Sequence, residues 1–119
     1  IGDGYEFTHL AGLIATLSLS LAAQALATLY ARVPGWPNGF GDQARAEELF
    51  KKSLILNADG IDPNFLYGQY LANQKRPAEA RHPLVIALKA PPRPGRELAD
   101  SGRLQKIKAL LAKLDKELN

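Results

Sequence analysis

Displaced by 34 residues, the chain meets itself. Ala46 falls on Ala80, Phe50 on Leu84, Ser53 on Ala87, Leu54 on Leu88 and Ala58 on Pro92. Ala44 also falls on Ala78. Residues 42–58 and 76–92 share three identities, and the weight lies in where the matches sit. Small residues recur where two helices must touch, and large apolar residues recur one turn later. The preceding segments correspond too: Leu26-Ala27-x-x-Tyr30 aligns with Tyr67-Gly68-x-x-Leu71. A period in this range belongs to repeat architectures, whose units bury their apolar faces against one another.

The rest of the chain reads as helices with short connections, and no segment alternates as a strand does. Residues 1–9 are glycine-bearing and acidic and predict an irregular lead-in. Leu10 to Ala31 follow as 22 residues without a formal charge, rich in Ala and Leu. A secretory signal needs a basic start, whereas Asp3 and Glu6 precede this stretch. Its length suits a membrane helix, but Thr16, Ser18, Ser20, Gln24, Thr28 and seven alanines favour a buried helix of a helical array. Val33–Gly41 holds two prolines and three glycines and cannot continue a helix. Asp42 is an N-cap for a helix over 43–57. Asp62 and Pro63 open another over 63–74, Pro77 a fourth to about Ala90, and a last runs over about 97–118. No Met is present, so Ile1 is not an initiator residue, and a processed chain or a fragment of a longer precursor is expected.

A large residue then Gly, an aromatic three later, then Ala-x-x-x-Phe, then Pro is the signature of the tetratricopeptide repeat family, which this chain resembles. One unit supplies Tyr67-Gly68, Leu71, Ala80, Leu84, Ala87 and Pro92. The other supplies Leu26-Ala27, Tyr30, Ala46, Phe50 and Ala58, with about seven extra residues at Val33–Gly39. The resemblance covers residues 20–92. It lacks the family's Trp near each unit's start, and Pro83 should kink its helix. It implies an all-α fold of antiparallel helix pairs stacked as a short right-handed solenoid, two pairs over 10–92 with a linker and capping helix over 93–119. The runs VPGWPNGFGD, NADGIDPN and APPRPGRELADSGR also resemble small uncharacterised bacterial repeat proteins of the cell envelope, which implies export to the envelope or periplasm.

In such an array the first helix of each pair lines a concave groove. The resemblance places Gln24, Thr28 and Arg32 there from one unit, with Ser20 and Thr16 continuing the polar seam. Asp62, Phe65, Gln69 and Asn73 come from the other. This is the expected peptide groove; the alternative is that the short polar groups bond to their own helix backbone or face water. Trp36 and Phe40, in the Pro/Gly insertion, are anchor candidates for a partner, against a loop folded back on its own helices.

Charge is divided unevenly. Residues 1–74 carry four Lys and Arg against seven acids, and residues 75–119 eleven against five. Arg93, Arg96 and Arg103 gather around a Pro-rich turn. No aromatic interleaving of the single-strand-binding kind accompanies them, so a solvated face is expected and nucleic acid is not. There is no Cys, so disulfides and thiol chemistry are excluded. Glu47 and Glu48 are adjacent and diverge by about 100° on a helix. His9 and His82 have no spaced metal-ligating partners, and no phosphate loop is present. The chain is therefore expected to be no enzyme and to need no cofactor or metal. The expectation is a protein-interaction module, an accessory or scaffold subunit binding a protein or peptide, with self-association open. The alternative is a membrane-associated subunit anchored by residues 10–31.

Overall fold

The computed structural model describes the backbone of residues 2–34 and 41–118 and the side chains of residues 15–34 and 41–118. The protein is all-α. The described residues form five helices in order: α1 (Gly2–Arg32), α2 (Gln43–Leu56), α3 (Ile61–Asn73), α4 (Pro77–Leu88) and α5 (Glu97–Leu118). They form two compact units, Ile1–Asn57 and Ala58–Asn119.

The first unit is the α1–α2 hairpin. Ser20 Oγ donates to the Ser53 carbonyl at 3.0 Å, and the Asp42 amide donates to the Tyr30 carbonyl at 3.1 Å. Residue numbers rise on one helix as they fall on the other, so the helices are antiparallel. Small residues make the contact: Ala27 and Ala46 are fully buried and Ala23 nearly so, with Phe50 filling the space beside them. Asp42 caps α2 as expected, its carboxylate accepting the Arg45 amide at 3.0 Å, which stabilises a helix by about 1 kcal/mol.

The second unit opens with the α3–α4 hairpin, closed by Gln74–Arg76. The Arg76 amide donates to the Leu71 carbonyl at 3.0 Å and the Lys75 amide to the Ala72 carbonyl at 3.1 Å. These are the paired bonds of a Schellman ending, with Lys75 at φ 61° where glycine is usual. Gly68 lets the helices approach, since a Cβ there would lie 2.6 Å from Leu84 Cγ. Helix α5 packs on α4 and touches α3, burying Ile107 and Leu114, with Arg81 Nε 3.1 Å from Asp115 Oδ1 at its far end.

The 34-residue correspondence holds in burial. Ala46, Phe50 and Ser53 are at most 2% exposed, and so are Ala80, Leu84 and Ala87. Two helix starts differ from expectation. Residues 2–9 belong to α1 rather than to an irregular lead-in: glycine weakens a helix without ending it, and no proline intervenes before Pro34. Helix α3 starts two residues early, with Gly60 as N-cap, so Asp62 lies in the first turn and caps nothing.

Candidate functional site

Helix α1 shows outward what its composition suggested it would bury. Leu17, Leu19, Leu21, Leu26 and Leu29 are 41–60% exposed. The polar seam faces α2 instead. Ser20 is fully buried, and Gln24, 4% exposed, donates from Nε2 to Ser20 Oγ at 3.2 Å. Thr28 donates to the Gln24 carbonyl at 2.9 Å, and Ser53 Oγ to the Phe50 carbonyl at 2.7 Å. Small side chains let two backbones come close, and each hydroxyl or amide then finds a carbonyl or a neighbouring hydroxyl, as a buried polar group must. Among the described residues no buried side-chain polar atom is without a hydrogen bond. Gln24 therefore offers no surface to a ligand; Thr28 is half-buried and Arg32 exposed.

In the second unit the groove candidates meet the chain's own arginines. Pro91, Pro92 and Pro94 break the helical run, and the Arg96 amide donates to the Arg93 carbonyl at 3.1 Å. Pro94 and Gly95, the latter at φ 75°, occupy the central positions of this turn, as in type II. Asp100, one turn into α5, holds the turn in place. It accepts the Arg93 backbone amide at 3.2 Å and Arg93 Nε at 2.8 Å, and Arg93 Nη2 as well. Arg93 Nη1 reaches Asp62 Oδ2 at 3.3 Å, and Arg103 Nε reaches Asp62 Oδ1 at 3.1 Å. The Arg103 guanidinium lies 4.7 Å from the centre of the Phe65 ring.

Two carboxylates and two guanidinium groups thus form one connected network. The hydrogen bond from Arg93 holds the Asp100 carboxyl below its usual range against the opposing effect of burial, with the charges of Arg93 and Arg96 adding to it. Reciprocally, the bond to Asp100 raises Arg93 above its ordinary value despite burial. Phe65 is 3% exposed and Asp62 is held between two arginines, so neither is open to a partner as a groove wall would be. Gln69 is half-buried and Asn73 exposed. Trp36 and Phe40 lie outside the described residues.

The network separates two concavities. One, of about 300 Å³, is mainly apolar and runs between Ile61, Pro91, Pro92 and Leu104. The other, of about 240 Å³, is lined by Arg93, Arg96, Arg103 and Lys106, with Asp62 as its one carboxylate and Leu98 beside them. The sequence groups the three arginines and predicts a solvated face; Arg96 is exposed, whereas Arg93 and Arg103 are half-buried in ion pairs. The missed signal is Asp100, an acid one turn after an arginine-bearing Pro/Gly turn.

Among the described residues, no group of three or more His, Asp or Glu is placed to hold a metal, and no helix is long and apolar enough to cross a membrane. Comparison with family models, curated proteins and solved structures finds no match.

Proposed function

We propose that this chain is a non-catalytic protein-interaction module, an accessory or scaffold subunit of a larger bacterial assembly in the cell envelope. The observation that carries this is the outward face of α1. Five leucines stand exposed along about 18 Å of helix, and no charged residue occurs from Leu10 to Ala31. Such apolar surface is characteristic of contact sites. The finer architecture belongs to the same proposal. Ala27 and Ala46 are fully buried in one hairpin, and in the other Gly68 lies against Leu84 and the Ala80 carbonyl, so both hairpins bury small residues. That supports tetratricopeptide-like pairs stacked as a short right-handed solenoid with α5 as its cap.

The test is the native mass and company of the protein. Light scattering and crosslinking should show a dimer or a complex, and mass spectrometry of the native preparation should show a stoichiometric partner where no dimer forms. A monomer at every concentration that co-purifies with nothing would overturn the proposal.

The leucine face also suits the alternative, a subunit held at the membrane by residues 10–31, in the form of a helix lying on the bilayer. Interfacial helices carry Lys and Arg on their polar side. The polar side of α1 is Ser20, Gln24 and Thr28, turned onto α2. Flotation with anionic vesicles separates the two: the interaction module stays with the soluble fraction, and the surface helix rises with the lipid.

A further inference from the structure

We infer that the cationic cleft at the start of α5 binds an acidic segment of a protein partner. Four cations face one carboxylate in this concavity, and that carboxylate, Asp62, is already taken by Arg93 and Arg103. The cleft therefore carries an unbalanced positive charge.

Two of the four cations are fixed in advance. Arg93 is held by Asp100 and Asp62. Arg103 is held by Asp62 and by the face of Phe65. Only Nε of Arg103 is engaged among the described residues, which leaves the paired N–H groups of its two terminal nitrogens as a fork for a carboxylate. Ordering these side chains adds little to the entropic cost of binding, because the fold has already ordered them. Arg96 and Lys106 are exposed and pair with no carboxylate among the described residues, so they are free to close on a second acid.

Shape and apolarity define the occupant further. Gly102 lines the cleft, and a Cβ built there meets nothing within 4 Å, so the chain's own side chains leave the space open. Leu98 lies at the same cleft and is 89% exposed. Carboxylates with an apolar residue between them match this arrangement better than a phosphate backbone does. Single-stranded nucleic acid would call for stacking aromatics, and Phe65 is buried under Arg103.

This inference rests on the protein-interaction proposal only for the source of the acid, and its test is separate. A fluorescein-labelled alternating Glu-Leu hexapeptide is titrated by fluorescence polarisation at about 0.1 M salt, where the Debye length is about 10 Å. An alternating Lys-Leu hexapeptide and an oligothymidine serve as comparison ligands. Reversing Arg96→Glu with Lys106→Glu should weaken the acidic peptide by about tenfold or more. The outer-face pair Lys51→Glu with Lys52→Glu makes the same change in net charge and should weaken it by less than about threefold. The neutral pair Arg96→Gln with Lys106→Gln should fall between them. All the replaced side chains are exposed, and circular dichroism confirms that each variant folds. Absent binding by the wild-type protein, equal weakening by the two reversals, or oligothymidine bound as tightly as the peptide would each overturn the inference. None of these outcomes bears on the native mass, which tests the protein-interaction proposal by itself.

Discussion

A carboxylate held between a backbone amide and a guanidinium, as Asp100 is, ties folding to pH. Its folded pKa lies below the ordinary carboxylate value of about 4. Its contribution to stability is therefore complete above that value and is lost as pH falls through the lowered one. Urea midpoints followed by circular dichroism should be level from about pH 5 upward and fall below about pH 4. Asp100→Asn should lower the midpoint at neutral pH and flatten the acid fall; a fall of unchanged size would show that Asp100 is not its source. Gly68 makes a second prediction. Alanine gains about 1 kcal/mol of helix propensity but drives its Cβ into Leu84, which is fully buried and cannot move aside. The expected net loss is about 1–2 kcal/mol, read from urea unfolding. Asp62 shows why such roles are hard to read along a chain. An acid before proline reads locally as a cap, whereas its partners lie 31 and 41 residues further on.

At the scale of elements, the hairpins were legible because Pro, Gly or Asp stands in the connections between their helices and because small residues recur in the buried positions. Which side of α1 turns inward was not legible. Leucine and alanine surround it, so the apolar pattern names no face. The inward side was chosen by size: Ala23, Ala27 and Ser20 permit a close approach that leucine would prevent. The resemblance to an array makes the seam Ser20, Gln24, Thr28 a groove wall; of the three, Thr28 bonds its own helix backbone, whereas Ser20 donates to the Ser53 carbonyl of α2 and Gln24 to Ser20 Oγ. The α3–α4 turn yields its own prediction. Lys75 adopts a left-handed backbone at φ 61°, which disfavours any residue with a Cβ by roughly 1–2 kcal/mol. Replacing it with glycine removes that strain at some cost in unfolded-state entropy. Lys75→Gly should therefore raise stability by about 0.5–1 kcal/mol, seen as a higher urea midpoint with an unchanged slope.

For the whole molecule, two surfaces of opposite chemistry answer oppositely to salt. Contact through the leucines of α1 depends on apolar area and should persist or tighten as salt rises. Binding in the cleft of α5 depends on charge and should weaken as the Debye length shrinks from about 10 Å at 0.1 M to about 3 Å at 1 M. Leu21→Glu with Leu26→Glu should abolish association in light scattering. Both side chains are outside the core, at 58% and 44% exposure, so stability should change by less than about 0.5 kcal/mol per site. Association that survives this pair would place the contact elsewhere. The unequal charge of the two ends of the chain was visible in the sequence. The Pro-rich turn with its three arginines was visible too, but the open space that they line with Asp62 was not, because it depends on how α5 docks against α3.

The unequal connections within the two hairpins carry a practical consequence. Arg32 and Asn73 end the first helices, and Gln43 and Pro77 begin the second ones, so ten residues join one pair where three join the other. The seven extra residues are accommodated while small residues stay buried in both hairpins, since loop closure grows dearer only slowly with length. The connection between α1 and α2 is thus a natural port for engineering. The Gly41 amide donates to the Pro34 carbonyl at 2.8 Å, which brings the two ends of the connection together, so an affinity tag or a fluorophore-bearing peptide spliced between them should leave the hairpin's melting behaviour intact.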